Sequence, residues 1–283
     1  MLSFAILLAT GCDMGPSPDT VVDELRVLAT LAETPEALPG ETVALETLIV
    51  APDGASYDVL SWSCTFTGEG CLEASGSTAW EGLSVAEGVT ERWSTGSATV
   101  PQALGYLATE EPVPLVQIWT LACEPGLCPV IDAALAAPAA GSEGAARLQE
   151  WLTSPTEFLA ELPFEGVSLG LRTLNVSTRG VDERATNPAV DCAVRQGFTS
   201  SPEAEGVVPY ECELSGELGE VAAAWGYTTA GGWGGASVPL LPGDTAFAYD
   251  WFAPDEPTAV DAWVIVTDGA GGVGIFETGM EVR

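Results

Sequence analysis

Six cysteines, Cys64, Cys71, Cys123, Cys128, Cys192 and Cys212, and 41 acidic residues are the side chains of this chain best suited to chemistry. The types that are missing narrow what they can do. The chain has no histidine, and its eight basic residues are all arginine. Without imidazole there is no Ser-His-Asp or Cys-His unit, no imidazole-bound zinc, and no side chain that titrates near neutrality unperturbed. Without lysine there is no Schiff base and no phosphate-clamping P-loop. A carboxylate pair of the glycosidase type or cysteine redox chemistry remains, and neither has a local signature here. Asp255 with Glu256, or Asp244, Asp250 and Asp268, offer the oxygen ligands that calcium prefers. No EF-hand loop frames them, and they read as surface acids of an acidic protein. An all-thiolate zinc site from Cys64, Cys71, Cys123 and Cys128 has six and four intervening residues within its pairs, a poor fit to zinc knuckles. No metal and no cofactor is expected.

The net charge of −33 argues against nucleic acid and against anionic lipid surfaces, because a polyanionic partner would be repelled. It reads as a solubility device or an adaptation to salty surroundings. At 47% hydrophobic residues the 283-residue chain can fill real cores, with room for two domains of ordinary size.

These side chains need strands to hold them. Leu25, Val27, Ala29 and Leu31 alternate with polar neighbours, the period of a half-buried strand, with Leu28 as the exception. Pro39-Gly40 turns the chain into a second strand with Val43, Leu45, Thr47 and Ile49 on one face, and Pro52-Asp53-Gly54 is the next turn signal. A third strand aligns Leu60, Trp62, Cys64 and Phe66. Short strands at such spacing, bounded by Pro and Gly, indicate a β-sandwich.

Residues 129–163 break this rhythm. Leu148, Trp151 and Leu152 have helical spacing, and Ser154-Pro155-Thr156-Glu157 forms a capping box with proline at the first helical position. Strands resume near residue 166. Tyr210 and Cys212 share a face, as do Phe247, Tyr249 and Trp251, and a closing hairpin runs through Asp268-Gly269-Ala270-Gly271-Gly272. Trp233 stands between glycine pairs in Gly231-Gly232-Trp233-Gly234-Gly235. Projecting from a loop, such an indole would stack on a sugar ring or anchor a protein partner. Folded back, it would close the end of a sandwich.

The N-terminus carries a further cysteine. The apolar run Leu2 to Ala9 has the length of a signal-peptide core and is far shorter than a membrane span. With Leu8-Ala9-Thr10-Gly11-Cys12 it resembles the signal of bacterial lipoproteins, in which small residues precede a cysteine that is lipidated. It departs from that pattern in two ways: no Lys or Arg precedes the apolar run, and Ala9 stands where Leu is more usual. The resemblance implies lipidation at Cys12, membrane attachment through the lipid, and a place in the bacterial cell envelope, periplasmic or surface-exposed. In an exported chain six further cysteines read as disulfides. Nearest-neighbour pairing gives Cys64–Cys71, Cys123–Cys128 and Cys192–Cys212, each contributing roughly 2–3 kcal/mol. A Cys64–Cys123 bridge between the sheets of one sandwich is the rival.

The stretch PGETVALETLIVAPDG resembles the opening strands of bacterial Ig-like domains, and AWVIVTDGAGGVGIFETGMEV is similar to the last two strands of PKD-type or Ig-like domains. The expected chain is therefore mainly β. Its parts are a lipoprotein signal (1–12), a tether (13–21), an Ig-like β-sandwich (22–128), a short helical segment (129–163) and an Ig-like or PKD-like sandwich (164–283). The expected role is a non-enzymatic envelope structural or binding module with an envelope protein or a glycan as partner. A carbohydrate-binding surface module using Trp233 is the alternative, and a carboxylate-based glycan hydrolase is a more distant one.

Overall fold

A computed structural model describes residues 20–51, 54–65, 81–125 and 167–283, with the backbone alone for 62, 64, 65 and 81–87. The described residues form sixteen strands. Eight belong to a first sandwich: β1 (Arg26–Ala32), β2 (Glu36–Ala37), β3 (Thr42–Val50), β4 (Tyr57–Thr65), β5 (Glu81–Val89), β6 (Trp93–Thr99), β7 (Val113–Cys123) and β8 (Val167–Val176). Eight more form a second: β9 (Ala189–Val194), β10 (Val207–Ser215), β11 (Ala222–Thr228), β12 (Gly232–Trp233), β13 (Ser237–Leu240), β14 (Ala246–Phe252), β15 (Ala259–Thr267) and β16 (Val273–Glu281). No α-helix occurs among the described residues, and short 3-10 turns lie at Gln102–Tyr106 and Val181–Glu183. The helical segment expected over 129–163 lies outside them.

The first sandwich packs the sheet β1-β3-β6 on the sheet β2-β8-β7-β4-β5, and the second packs β13-β11-β15-β16 on β12-β14-β10-β9. The start of the second sandwich differs from the boundary read at residue 164. Strand β8 pairs antiparallel with β7 along its length, from Val113 opposite Val176 to Cys123 opposite Val167. Its Leu174 and Val176 fill the first core beside Val43, Leu45 and Ile118. The long connection between β7 and β8 hides this hairpin from a reading based on spacing, because hairpin loops are ordinarily a few residues long.

Strand β1 shows why Leu28 breaks the alternation. Its pairing with β3 slips between Val27 and Ala29, the signature of a bulge. The bulge changes phase, so Val27, Thr30 and Ala32 are buried, and Ala29 and Leu31 only partly. Thr30 meets Thr47 across the pair, their hydroxyls 3.1 Å apart, so both buried polar atoms are satisfied.

The two sandwiches stack face to face. Strand β3 buries Val43, Leu45, Thr47 and Ile49 toward its own core, as its period requires, but Leu48 and Val50 on the opposite face are equally buried. They join Val22 and Trp263 in a cluster flanked by Leu28, Trp93, Tyr227 and Ile275. Strand β15 mirrors this. Its Ala262, Val264 and Val266 enter the second core, while Trp263 and Ile265 point to the first sandwich. The sheets β1-β3-β6 and β13-β11-β15-β16 are thus the inner layers of a four-sheet stack.

The strap between β8 and β9 runs back over the first sandwich and is bonded to it. Glu36, fully buried, accepts from Ser177, from Arg179 Nε and Nη2, and from the Ala185 N–H. Burial alone would raise the Glu36 pKa, but the bonds from Arg179, Ser177 and Ala185 and the Arg179 charge outweigh it and hold the carboxyl below its ordinary value. Arg184 Nη1 reaches both carboxylate oxygens of Glu41 at 3.0 and 2.7 Å. Asn187 donates to Ala32 O at 2.7 Å and accepts from the Val273 N–H at 3.1 Å, so one side chain ties both sandwiches.

Candidate functional site

A cavity of about 490 Å³ opens where strand β8 faces the second sandwich. Its walls come from β1 and β8 on one side, and from β11, β15 and the turn into β16 on the other. The turn exists because Asp268 organises it. The Asp268 carboxylate is buried, and its Oδ1 accepts from the Ala270 N–H at 2.7 Å and the Gly272 N–H at 2.6 Å. Gly269 has φ +74°, and a Cβ there would stand 2.7 Å from the Val221 carbonyl carbon, so only glycine fits.

Arg172 on β8 is the chemically unusual wall residue. It follows the same phase as Leu174 and Val176, which places a guanidinium where an apolar side chain would ordinarily sit. The residue is 7% exposed, and Nε and Nη2 have no hydrogen-bond partner among the described residues. Burial pushes its pKa down to about 10, against the opposing charge of Asp268. Asp268 spends Oδ1 on its own turn. A buried cation without directional partners is costly to keep, and such groups are ordinarily paired.

The rest of the wall is apolar or hydroxylic. Leu171 and Trp225, 54% and 38% exposed, are large apolar side chains left open, and both line this cavity. Tyr227 and Ile265 also line it, and Thr173 adds a hydroxyl. A second cavity of about 890 Å³, toward Arg179 and Arg184, shares Thr173, Gly269 and Gly271 with it. The arrangement can hold an anion beside an apolar body. Among the described residues that line it, none is a nucleophile bonded to a base.

Of the candidate site residues singled out from sequence, only Asp268 belongs to this cavity's surroundings. Trp233 is fully buried, which overturns its reading as an exposed platform. Its ring packs on Tyr210 and Tyr249, with centroids 5.6 and 4.7 Å away, and its Nε1 donates to Tyr227 O at 3.0 Å. The flanking glycines serve this burial. Gly231 turns at φ +75°, and Gly226, on the neighbouring strand, leaves the space that the indole fills. The acids proposed for calcium are dispersed. Asp244 caps its own turn through the Leu241 N–H, Asp250, Asp255 and Glu256 are exposed, and Asp268 is buried. Among the described residues no three cysteine or acidic side chains converge. Asp261 and Glu277 do meet, but both are bonded to Arg92.

Cys192 and Cys212 stand opposite each other on β9 and β10, Cα atoms 4.0 Å apart, and are bridged. Cys123 is also disulfide-bonded. Cys12, Cys71 and Cys128, and the side chain of Cys64, lie outside the described residues. Arg172 is the site residue that the sequence reading missed. Its signal was a single charge in phase with Leu174 and Val176.

No family model matches the chain, and no curated protein matches it. Among solved structures, a conjugative transposon lipoprotein from Bacteroides eggerthii DSM 20697 is similar at 18% identity over 33% of this chain and 95% of its own, with a TM-score of 0.25. The D00-D0 domain of intimin is 9% identical over 92% of this chain and 98% of its own, with a TM-score of 0.27. The D0-D1 domain of intimin is 12% identical over 90% and 98%, with a TM-score of 0.24. Likenesses of this size say nothing about what the chain binds or does.

Proposed function

We propose that the chain is a lipid-anchored component of the bacterial cell envelope, attached through Cys12, whose paired sandwiches serve as a rigid, non-enzymatic structural and binding module. The observation that carries the reading is the stacking of the two sandwiches through Leu48, Val50 and Trp263, reinforced by the Arg179, Arg184 and Asn187 strap. An apolar interface flanked by ion pairs makes one stiff body, in contrast to the mobile domains that polar interfaces allow. The sequence adds a lipoprotein-like start at Leu8 to Cys12 and a composition without histidine or lysine, which removes most catalytic units. Its partner is an envelope protein or a glycan, met on the periplasmic or outer side.

The test is mass spectrometry of the N-terminal peptide from a membrane fraction of the native host. A diacyl or triacyl Cys12 is the expected result, since two chains hold stably where one does not. An unmodified Cys12 in a soluble fraction overturns the anchor.

A further inference from the structure

The geometry points to the cavity at Arg172 as a binding site for a small organic monoanion, a carboxylate carried on an apolar or aromatic body. The assignment is independent of the lipid anchor. Three observations carry it. First, Arg172 is more than nine-tenths buried in the cavity wall, with Nε and Nη2 unpartnered among the described residues. Nε and Nη2 have almost no accessible surface, so a carboxylate meets the fork as the guanidinium turns toward the cavity, and a bidentate bond in that low-dielectric setting is strong. Second, the neighbouring charge is Asp268, buried and fixed in its turn. Arg172 and Asp268 together are near neutral, so one negative charge is tolerated where the second charge of a phosphate would be repelled, more so in a chain of net charge −33. Third, Trp225 and Leu171 leave apolar surface open along the same cavity, where an aromatic or aliphatic body would cover it. Its volume of about 490 Å³ suits a small molecule.

The cavity lies between the sandwiches, so an occupant touches both. Ligand on Arg172 of β8 and Trp225 of β11 would add a further bond across the stack and raise the thermal stability of the whole chain by mass action.

Benzoate is the probe, with methyl benzoate as the uncharged control and inorganic phosphate as the dianion. Titrated into the full chain at neutral pH, benzoate is expected to raise Tm and to change tryptophan emission, with a Kd on the order of 1 mM for so small a ligand. Methyl benzoate is expected to do neither. Arg172→Met removes the buried cation but leaves the buried Asp268 charge uncompensated, so it is expected to fold with a lowered Tm. It should weaken benzoate by at least about tenfold. Trp225→Phe should keep the thermal shift and lose the emission change. No response of the native chain up to about 10 mM benzoate overturns the assignment, as that is well past the expected affinity. An undiminished response in Arg172→Met does the same. Should that variant not fold, equal binding of benzoate and methyl benzoate by the native chain overturns it without any substitution. Phosphate binding tighter than benzoate overturns the choice of a monoanion.

Discussion

The Arg92 guanidinium carbon stands 5.4 Å from the ring centroid of Trp263, while the same group is bonded to Asp261 and Glu277. Arg92 belongs to the turn between β5 and β6, and its three partners belong to β15 and β16. One side chain therefore closes the edge of the apolar interface from the opposite sandwich. The two acids hold the Arg92 pKa above its ordinary value, chiefly through the hydrogen bond to Asp261. The ion pairs are more than a third exposed, so their worth stays within the surface range of about 0–1 kcal/mol.

The indole beneath carries more. Trp263 is fully buried between the sandwiches, and truncation of such a side chain costs about 3–5 kcal/mol. Trp263→Ala is expected to split a single cooperative melt into two transitions, because the shared interface is what couples the halves. Scanning calorimetry reads this. A single transition at the native Tm would show that the interface holds nothing.

Acid should loosen the strap. The folded pKa of Glu36 lies below the ordinary value of 4.5, so its bonds to Arg179, Ser177 and Ala185 contribute fully above that value. The contribution is lost as pH falls through the lower, folded pKa. Glu36→Gln should therefore melt below the native chain at neutral pH, with the gap closing as the solution is acidified below about pH 4.5. A gap that widens toward acid would reverse the sign and refute the account.

Trp233 is a core residue, and Gly226 is its socket. A Cβ at Gly226 would overlap the Trp233 ring, so Gly226→Ala forces either the indole or the strand to move. Overpacking of this kind costs typically about 1–3 kcal/mol, and Trp233→Ala about 3–5 kcal/mol. Urea denaturation measures both, and a Trp233→Ala chain of native stability would restore the exposed reading.

Removal of the Cys192–Cys212 bridge acts mainly on the unfolded chain. The residues are separated by 20 positions, for which loop-closure entropy gives about 3 kcal/mol. Reduction, or the double alanine variant, should lower the urea midpoint with the β9–β10 pairing kept. Loss of strand signal in circular dichroism under native conditions would contradict that.

Much of the fold was legible, and the gaps have physical causes. Val43, Leu45, Thr47 and Ile49 were readable because one face of a strand repeats every second residue. Leu48 and Val50 were not, since a strand buried on both faces ends in a continuous apolar run that names no partner. The same holds for Ala262 to Val266. The change of phase at Leu28 was visible as an irregularity, and the slipped pairing explains it. Strand β8 was assigned to the second sandwich because the chain between it and β7 outlasts any ordinary hairpin loop. Trp233 was legible two ways, because its glycines open space for the ring as well as they would free a loop, and the folded-back reading is the one that holds. Arg172 needed the stack itself, for it is the second sandwich that makes the surface beside β1 and β8 the wall of a cavity.

The first described residues carry a consequence for the order of assembly. Thr20 and Val22 are buried, the Val22 N–H donates to Thr228 O at 2.8 Å, and Thr20 Oγ1 accepts from the Trp233 N–H, 213 positions later in the chain. These two bonds of Thr20 and Val22 cannot form until Thr228 and Trp233 have been made. Until the second sandwich is made, Leu48 and Val50 lack Trp263 as their cover. A segment that precedes β1 is thus fixed by the second sandwich, and a chain interrupted before Thr228 would present the Leu48 and Val50 face to whatever receives it.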